Sequence, residues 1–426
     1  VRVKWVEGQR GPGLVRSRLV CMQFNFSLRG DCFAGTPPLV LVKCILSRAA
    51  SLGQDRVVGI WDVSCAFLHA KMDEVLFLRL PESLCPPGYR GRCLSALYGS
   101  RRAGLLWGEE VAVQLKKRGF KRSRGCGQLY WYEHEGTLVV VLVVHGDDFF
   151  AEGKRKDIDW LGTVLDACFE TKLKAIIGAG ADRAGEFLHR RISFVMGRGF
   201  EYQPDGRHVV QVAEELGISE ASSVPTPWVV GANQSPDALD LVGSEEQKLY
   251  SSSVGSMIYY SIDRVELQWT VRSLAKTLSA PTELCMQRLR RLVRYCLGTL
   301  HYVLLFGFQH NPRHLDIFAD ADWAGDARDR KSVTCGVMLL GKHQLESYSA
   351  GQQVIALSSG EAEFYSCTKA IAHLLFLLYV LKEMRVVYRG RCFSDSSAAR
   401  GMLGRLGSGK VRHIHTRFLW VQERLR

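Results

Sequence analysis

Thr137-Leu-Val-Val-Val-Leu-Val-Val-His-Gly-Asp-Asp-Phe-Phe-Ala151 is the stretch from which the fold is read. Leu138 to Val144 is apolar throughout and largely β-branched, as suits a strand covered on both faces. Gly146 supplies the backbone freedom of a tight turn, and Phe149, Phe150 and Ala151 begin the return strand. Asp147 and Asp148 therefore sit at the tip of a buried β-hairpin. A pair held so rigidly repels itself, and the repulsion is relieved when a divalent cation binds between the pair and a third acid.

That third acid lies upstream. Arg56-Val-Val-Gly-Ile-Trp-Asp-Val-Ser-Cys-Ala-Phe-Leu-His-Ala70 reads as a second apolar strand that delivers Asp62 at its end. Carboxylates from two neighbouring strands offer hard oxygen ligands to Mg²⁺, whereas His and Cys would suit softer metals. Phosphoryl transfer uses two such ions about 3.5–4 Å apart, one activating the attacking oxygen and one clamping the phosphates.

These residues and their surroundings resemble the polymerase of copia-type long-terminal-repeat retrotransposons. Asp62-Val-Ser-Cys-Ala-Phe-Leu-His-Ala-Lys-Met-Asp-Glu74, followed by Leu78-Arg-Leu-Pro-Glu82, is similar to the family's first catalytic motif and the segment after it. Leu97-Tyr-Gly-Ser-Arg-Arg-Ala-Gly-Leu-Leu-Trp107 resembles the motif lining its nucleotide site, and His145-Gly-Asp-Asp148 stands where reverse transcriptases carry their paired aspartates. The resemblance implies that Asp62 and Asp147 bind the metals with Asp148 in support. It also implies that Arg101 contacts substrate and that Phe67 is the steric gate against a ribonucleotide's hydroxyl. Val15-Arg-Ser-Arg-Leu-Val20 resembles the basic strand of the fingers, so Arg16 and Arg18 are expected on the incoming triphosphate, which suits the planar fork of arginine.

A second set of acids fills the last quarter of the chain. Leu315-Asp-Ile-Phe-Ala-Asp-Ala-Asp-Trp-Ala-Gly-Asp326 alternates as a strand with an acid where its inward face ends. Ala356-Leu-Ser-Ser-Gly-Glu-Ala-Glu-Phe364 reads as a helix start, with Ser358 and Glu361 spaced as a capping box and Glu363 projecting from the first turn. Arg391-Cys-Phe-Ser-Asp-Ser396 is a short strand presenting Asp395 before a helix over Ser397 to Leu403. The order resembles the ribonuclease H domain of the same elements, including Asp329-Arg-Lys-Ser332. It implies Asp320, Glu363 and Asp395 as ligands of a second pair of Mg²⁺ ions.

The chain departs from that pattern at several positions. His413-Ile-His415 replaces a His-Ile-Asp triplet, and histidine is a poor ligand for Mg²⁺. Gly104 and Leu105 replace proline and arginine, Arg102 stands for glutamine, and Asp263-Arg-Val-Glu266 replaces Thr-Arg-Pro-Asp. Descent from a polymerase and activity of this copy are therefore separate expectations. The alternatives are a catalytically degenerate relic that only binds nucleic acid, and a polymerase with an inactive nuclease.

Composition agrees with a nucleic-acid enzyme. The 426 residues are 47% hydrophobic, enough for two or three cores, and a net charge of +13 with pI ≈ 9.2 favours a polyanionic partner. In Gln287-Arg-Leu-Arg-Arg-Leu-Val-Arg-Tyr-Cys-Leu297, Leu289, Leu292, Val293 and Cys296 recur at helical spacing, leaving Arg288, Arg291 and Arg294 for contact with a nucleic-acid backbone. The 13 cysteines are scattered without a C-x-x-C pair, which argues against a zinc site or a disulfide framework and for reduced packing residues inside a cell. No zinc knuckle, integrase finger or aspartic-protease signature occurs. The most apolar helix, read as Ile371 to Leu381, is shorter than the ~20 residues of a bilayer span, so no membrane partner is expected. A start at Val1 without methionine reads as a fragment of a longer product.

The expected fold is α/β (α+β): right-hand polymerase fingers and palm over 1–228, a linker and helical connection or thumb over 229–309, and a ribonuclease H-like mixed-sheet domain over 310–426. The resemblance implies reverse transcription of element RNA, with an RNA template, a DNA primer, dNTPs and an RNA/DNA hybrid as partners. It implies an intracellular location, in the cytoplasm, a virus-like particle or the nucleus, and sets no oligomeric state.

Overall fold

The computed structural model describes residues 1–11, 13–23, 32–229, 241–326, 329–409 and 411–425. Residues 230–240 of the expected linker and connection lie outside these. The chain is a mixed α+β protein, as expected, with two compact units: Val1–Ala49 with Gly53–Leu188, and Ala50–Leu52 with His189–Arg426.

In the first unit, β1 (Val3–Gly11) and β2 (Leu14–Cys21) form a hairpin, followed by α1 (Leu39–Ser51), β3 (Arg56–Val63) and the short pair β4 (Phe77–Leu78) and β5 (Gly91–Arg92). Then come α2 (Ala103–Lys117), β6 (Lys121–Arg122), β7 (Leu129–His134), β8 (Thr137–His145), β9 (Asp148–Lys154), α3 (Arg155–Asp166), β10 (Thr171–Ile177) and β11 (Ala184–Phe187). Six strands make the main sheet in the order β10-β3-β9-β8-β7-β6. The apolar runs of β3 and β8 are central and buried, and Trp61, Phe149, Trp107, Leu115, Ile158 and Leu161 pack from sheet, α2 and α3 into one core. Buried among them is Glu152 on β9, paired with Arg48 of α1 and, at 2.5 Å, with Arg56 of β3.

The second unit begins with β12 (Arg190–Val195), β13 (Gly199–Gln203) and α4 (Arg207–Glu215), then a helical layer of α5 (Ser244–Ser261), α6 (Val265–Ala275) and α7 (Glu283–Leu297), and β14 (Leu304–Gly307), which pairs with β13. Leu289, Leu292, Val293 and Cys296 are fully buried on α7, facing Val209 and Val212 of α4 and Met257 of α5. Arg190 donates to Asp263 at 2.8 Å with both side chains buried, and Arg264 is held by Tyr260 and Thr299. The Asp263-Arg264 variant of the connection thus forms its own satisfied polar network.

The remaining elements are β15 (His314–Ala321), β16 (Val333–Leu340), β17 (His343–Gly351), α8 (Ser359–Glu383), β18 (Arg389–Phe393), α9 (Ser397–Leu403) and α10 (Trp420–Arg424). The sheet runs β17-β16-β15-β18, with β15 and β18 parallel and the other pairs antiparallel. Helix α8 corrects one expectation. It spans 25 residues, where the apolar core Ile371 to Leu381 suggested a short element, and it is long and apolar enough to cross a membrane by length and composition. Its apolar window is 61% buried within the unit, because Ala362, Phe364, Cys367, Ala370 and Leu374 pack against the sheet.

Candidate active sites

The first site forms where β3 ends beside the turn between β8 and β9. His145 and Asp148 are register partners, so Gly146 and Asp147 make a two-residue turn, and Gly146 takes φ +63°, which a glycine adopts without strain at that position. The Val63 amide donates to the Asp147 carbonyl at 2.8 Å, and the Trp107 indole of α2 donates to the Gly146 carbonyl at 2.7 Å. The turn is thereby fixed to β3 and to α2. Asp62 lies directly across from Asp148 in the β3-β9 register.

A residue that sequence reading missed completes this site. The Lys174 ammonium lies 3.1 Å from Asp62 and 2.7 Å from Asp148. Lys172 is the register partner of Asp62, and the pairing slips by one residue between Leu173 and Ala175, making Lys174 the bulged residue. A bulge re-aims a side chain and is favoured next to functional sites. Burial pulls the Lys174 ammonium down, but its bonds to Asp148 and Asp62 outweigh that and raise it. Burial raises the Asp147 carboxyl, opposed by a backbone hydrogen bond, and the charges of Asp148 and Asp62 push in the same direction as burial. Three acids and one cation thus share a small, partly desolvated space.

Phe67 belongs to a 3₁₀ turn over Ala66–His69, entered through Cys65 in a left-handed conformation (φ 49°). Its ring stands 4.7 Å from that of Tyr98, and the Arg18 guanidinium of β2 lies 5.1 Å from the Tyr98 ring. Burial raises the Tyr98 phenol, with Arg18 opposing and Asp147 reinforcing. Arg18, Tyr98 and Phe67 therefore adjoin the acids, and Arg16 is close enough to bear electrostatically on Tyr98. The Tyr98 carbonyl accepts from the Cys21 amide at 2.7 Å, and Gly99 (φ +80°) leaves room for Cys21, on which a Cβ would fall. The Arg101 amide donates to Gln23 at 3.0 Å, while Arg102 is engaged with Asp73 at 2.6 Å.

The second site lies in the second unit. One carboxylate oxygen from each of Asp320, Glu363 and Asp395 lies within 4.8 Å of the others, the middle one buried and the outer two exposed. Strand β15 delivers Asp320. Ser358 caps α8 by accepting from the Glu361 amide at 3.2 Å, which sets the helix phase for Glu363. Asp395 follows β18 just before Ser396, the N-cap of α9. Glu363 accepts from the Ala321 amide at 3.0 Å, yet its carboxyl is pushed up to about 7, first by burial and then by Asp320 and Asp395.

Next to this cage, Glu361 is buried and takes three bonds: from the Leu357 amide (3.0 Å), the Tyr365 hydroxyl (2.6 Å) and His413 Nε2 (2.8 Å). Burial would raise its carboxyl, but His413, Tyr365 and the Leu357 amide hold it below the usual range. His415, at the position expected to weaken the second site, accepts from the Arg417 amide at 3.1 Å and caps the 3₁₀ turn Thr416–Phe418.

The arginines of α7 are occupied within the unit. Arg290 donates to the Leu216 carbonyl (3.2 Å), Arg291 to Thr226 (2.8 Å) and Arg294 to the Ser222 carbonyl (2.7 Å), and Arg288 stacks on Trp228 at 4.7 Å. They secure residues 216–228 against the helix.

Residues 4–178 match the family model of the reverse transcriptase (RNA-dependent DNA polymerase). The chain is similar to the retrovirus-related Pol polyprotein from transposon TNT 1-94 of Nicotiana tabacum, with 25% identity over 99% of this chain and 32% of that protein. It is also similar to the Pol polyprotein from transposon RE2 of Arabidopsis thaliana, with 26% identity over 87% of this chain and 25% of that one. The chain spans between a quarter and a third of the length of these relatives. A foamy viral protease-reverse transcriptase, solved with double-stranded DNA, covers 100% of this chain and 63% of its own at a TM-score of 0.54 and 10% identity, a likeness of fold.

Proposed function

Because the chain belongs to the reverse transcriptase family of copia-type retrotransposon Pol polyproteins, we propose that it is an RNA-directed DNA polymerase, copying element RNA into DNA from dNTPs on a DNA primer. The observation that carries this reading is the convergence of Asp62 with the Asp147-Asp148 turn on adjacent strands, bridged by Lys174. The donor set is all carboxylate, which fits Mg²⁺. When bound by Asp62 and Asp147 with Asp148 beside them, two such ions would activate the primer hydroxyl and neutralise the triphosphate.

The chain's own residues divide the remaining work. Arg16 and Arg18 on β2 and Arg101 would bind triphosphate oxygens, where a guanidinium fork gives paired charge-assisted bonds. Phe67, steadied by Tyr98, would press on the sugar and exclude a 2′-hydroxyl. Lys174 would offset the mutual repulsion of Asp62 and Asp148 and hold both carboxylates in place. Functionally we assign 1–228 to fingers and palm, 229–309 to linker and connection, and 310–426 to a ribonuclease H-like domain. An intracellular location, in the cytoplasm, a virus-like particle or the nucleus, accompanies this reading.

For the second site, the compact cage of Asp320, Glu363 and Asp395 supports metal-assisted hydrolysis of the RNA strand of a hybrid, again with two Mg²⁺. A polymerase with an impaired nuclease is favoured by one observation: His415 is engaged in capping a turn and supplies no fourth carboxylate. Purified chain with Mg²⁺, a primed RNA template and dNTPs should extend the primer, and Asp147→Asn should abolish extension. If wild type and variant are equally inert and both bind template in a salt-sensitive manner, the chain is a binding relic and the polymerase reading is wrong.

A further inference from the structure

Two thiols meet between helix α8 and the edge strand β18. Among the described residues β18 pairs only with β15, so one side of the strand is held by the sheet and the other is not. Cys392 is the register partner of the fully buried Ile317, and alternation along the strand turns Gly390 and Ser394 the same way as Cys392. Two contacts identify that face as the one beneath α8. A Cβ on Gly390 would stand 2.6 Å from Leu378 and 3.1 Å from Leu374, and Ser394 donates to Glu363 at 3.5 Å. Glu363, Cys367, Leu374 and Leu378 recur at helical spacing along one stripe of α8. Strand and helix run in opposite senses here, so Cys392, between Gly390 and Ser394, comes opposite Cys367, between Leu374 and Glu363. The bare backbone of Gly390 lets the helix approach closely, as a cross-link requires.

The thiols are in contact. Cys392 donates a hydrogen bond to Cys367, which also accepts from Ser394. Cys367 is fully buried, whereas Cys392 is half-buried and can be reached by a small solute. The bonds from Cys392 and Ser394 hold the Cys367 thiol below its ordinary range against the pull of burial, and the bond to Cys367, reinforced by burial, holds the Cys392 thiol far above it. The pair thus gives up one proton readily and shares the other.

We propose that Cys367 and Cys392 are an oxidisable pair, which hydrogen peroxide converts to a disulfide that clamps β18, and with it Asp395, to α8. The shared proton moves to Cys367 and leaves the thiolate on Cys392, the accessible sulfur. That sulfur attacks a peroxide oxygen, the O–O bond breaks, and a sulfenic acid forms while the departing hydroxide takes a proton from solvent. Cys367 sulfur then attacks Cys392 sulfur, the S–O bond breaks, and the thiol proton leaves with the hydroxide as water. Two thiols lose two electrons, and one peroxide becomes two waters. The cross-link closes a loop of about 25 residues and pins a strand held on one side only, so it removes freedom chiefly from the unfolded chain. Its formation is read without metal and stands apart from the nuclease reading.

The whole chain in EDTA should be treated with a slight excess of peroxide, blocked with iodoacetamide and digested with trypsin without reduction. Mass spectrometry should find the Cys367 peptide joined to the Cys392 peptide, two hydrogens lighter than their sum, and dithiothreitol should separate them. The oxidised second unit should melt about 5–10 °C higher than the reduced one, and Cys392→Ser should show neither the cross-link nor the rise. On an Asp147→Asn background, calorimetric Mg²⁺ titration of the remaining cage should tighten by about threefold on oxidation, because Asp395 is then already ordered. The proposal is overturned if peroxide leaves both cysteines open to alkylation, if it joins either of them to a different cysteine, or if the cross-link forms and neither the melting temperature nor the Mg²⁺ affinity moves.

Discussion

Mg²⁺ binding at the Asp320, Glu363 and Asp395 cage should release a proton and should tighten steeply as pH rises towards 7. The Glu363 carboxyl is raised from 4.5 to about 7, chiefly by burial, so near neutrality the folded cage retains a proton that the metal must displace. Affinity should then climb by up to about tenfold per pH unit below 7 and flatten above it. The same shift fixes the sign of the metal-free stability. Between pH 4.5 and about 7 the folded chain binds more protons than the unfolded one, so Glu363 makes stability fall through that window. Two carboxylates 4.8 Å apart repel by about 0.9 kcal/mol in bulk water and about 3.5 kcal/mol at an effective dielectric of 20. Asp320 and Asp395 are exposed, which screens the interaction, so about 1–2 kcal/mol is expected. Glu363→Gln should raise the metal-free melting temperature of the second unit at pH 8 and leave it nearly unchanged at pH 4.5. Calorimetric Mg²⁺ titration on an Asp147→Asn background, in buffers of different ionisation enthalpy, reads the proton release directly. Affinity that is flat from pH 5.5 to 8, with no proton exchanged, would refute the reasoning.

Three further outcomes are expected. Lys174→Met should lower the metal-free stability of the first unit by about 1 kcal/mol and strengthen Mg²⁺ binding there several-fold, because a competing cation is gone; a loss of Mg²⁺ affinity in titrations would contradict this. Glu152→Gln should cost about 3–5 kcal/mol in denaturant unfolding, since it leaves the buried Arg56 and the half-buried Arg48 without their counter-ion, and a cost under about 1 kcal/mol would argue against it. Gly99→Ala should cost about 1–3 kcal/mol and raise KM for dNTPs more than it lowers kcat, because φ +80° and the carbonyl of Cys21 both oppose a Cβ beside Tyr98; unchanged KM would separate Tyr98 from nucleotide binding.

Local chemistry made much of this structure legible. The unbroken β-branched runs of β3 and β8 announce central strands, Gly146 announces the turn, and Ser358 with Glu361 announces the start of α8. The Glu361 side chain reaches the Leu357 amide, so only half of the expected capping box forms. What stayed hidden depends on long-range partners. Lys174 is one of two lysines in Lys172-Leu-Lys174 that alternation alone treats alike, and only the bulge opposite Asp62 selects it. The arginines of α7 look available in sequence because the Leu216 and Ser222 carbonyls and the Thr226 hydroxyl that engage them are about 70 residues away. The apolar run of α8 reads as short because its first turns mix small residues, Gly360, Ala362 and Ser366, with the acids Glu361 and Glu363.

Glu361 and Glu363 stand two residues apart on one helix, hence roughly 200° apart around its axis. The outer grip of His413 on one of them and the metal cage of the other are therefore coupled through a single rigid rod. Trimming the chain ahead of His413 would remove no ligand of the cage, yet it would free the first turn of that rod to roll, and the third acid would lose its aim.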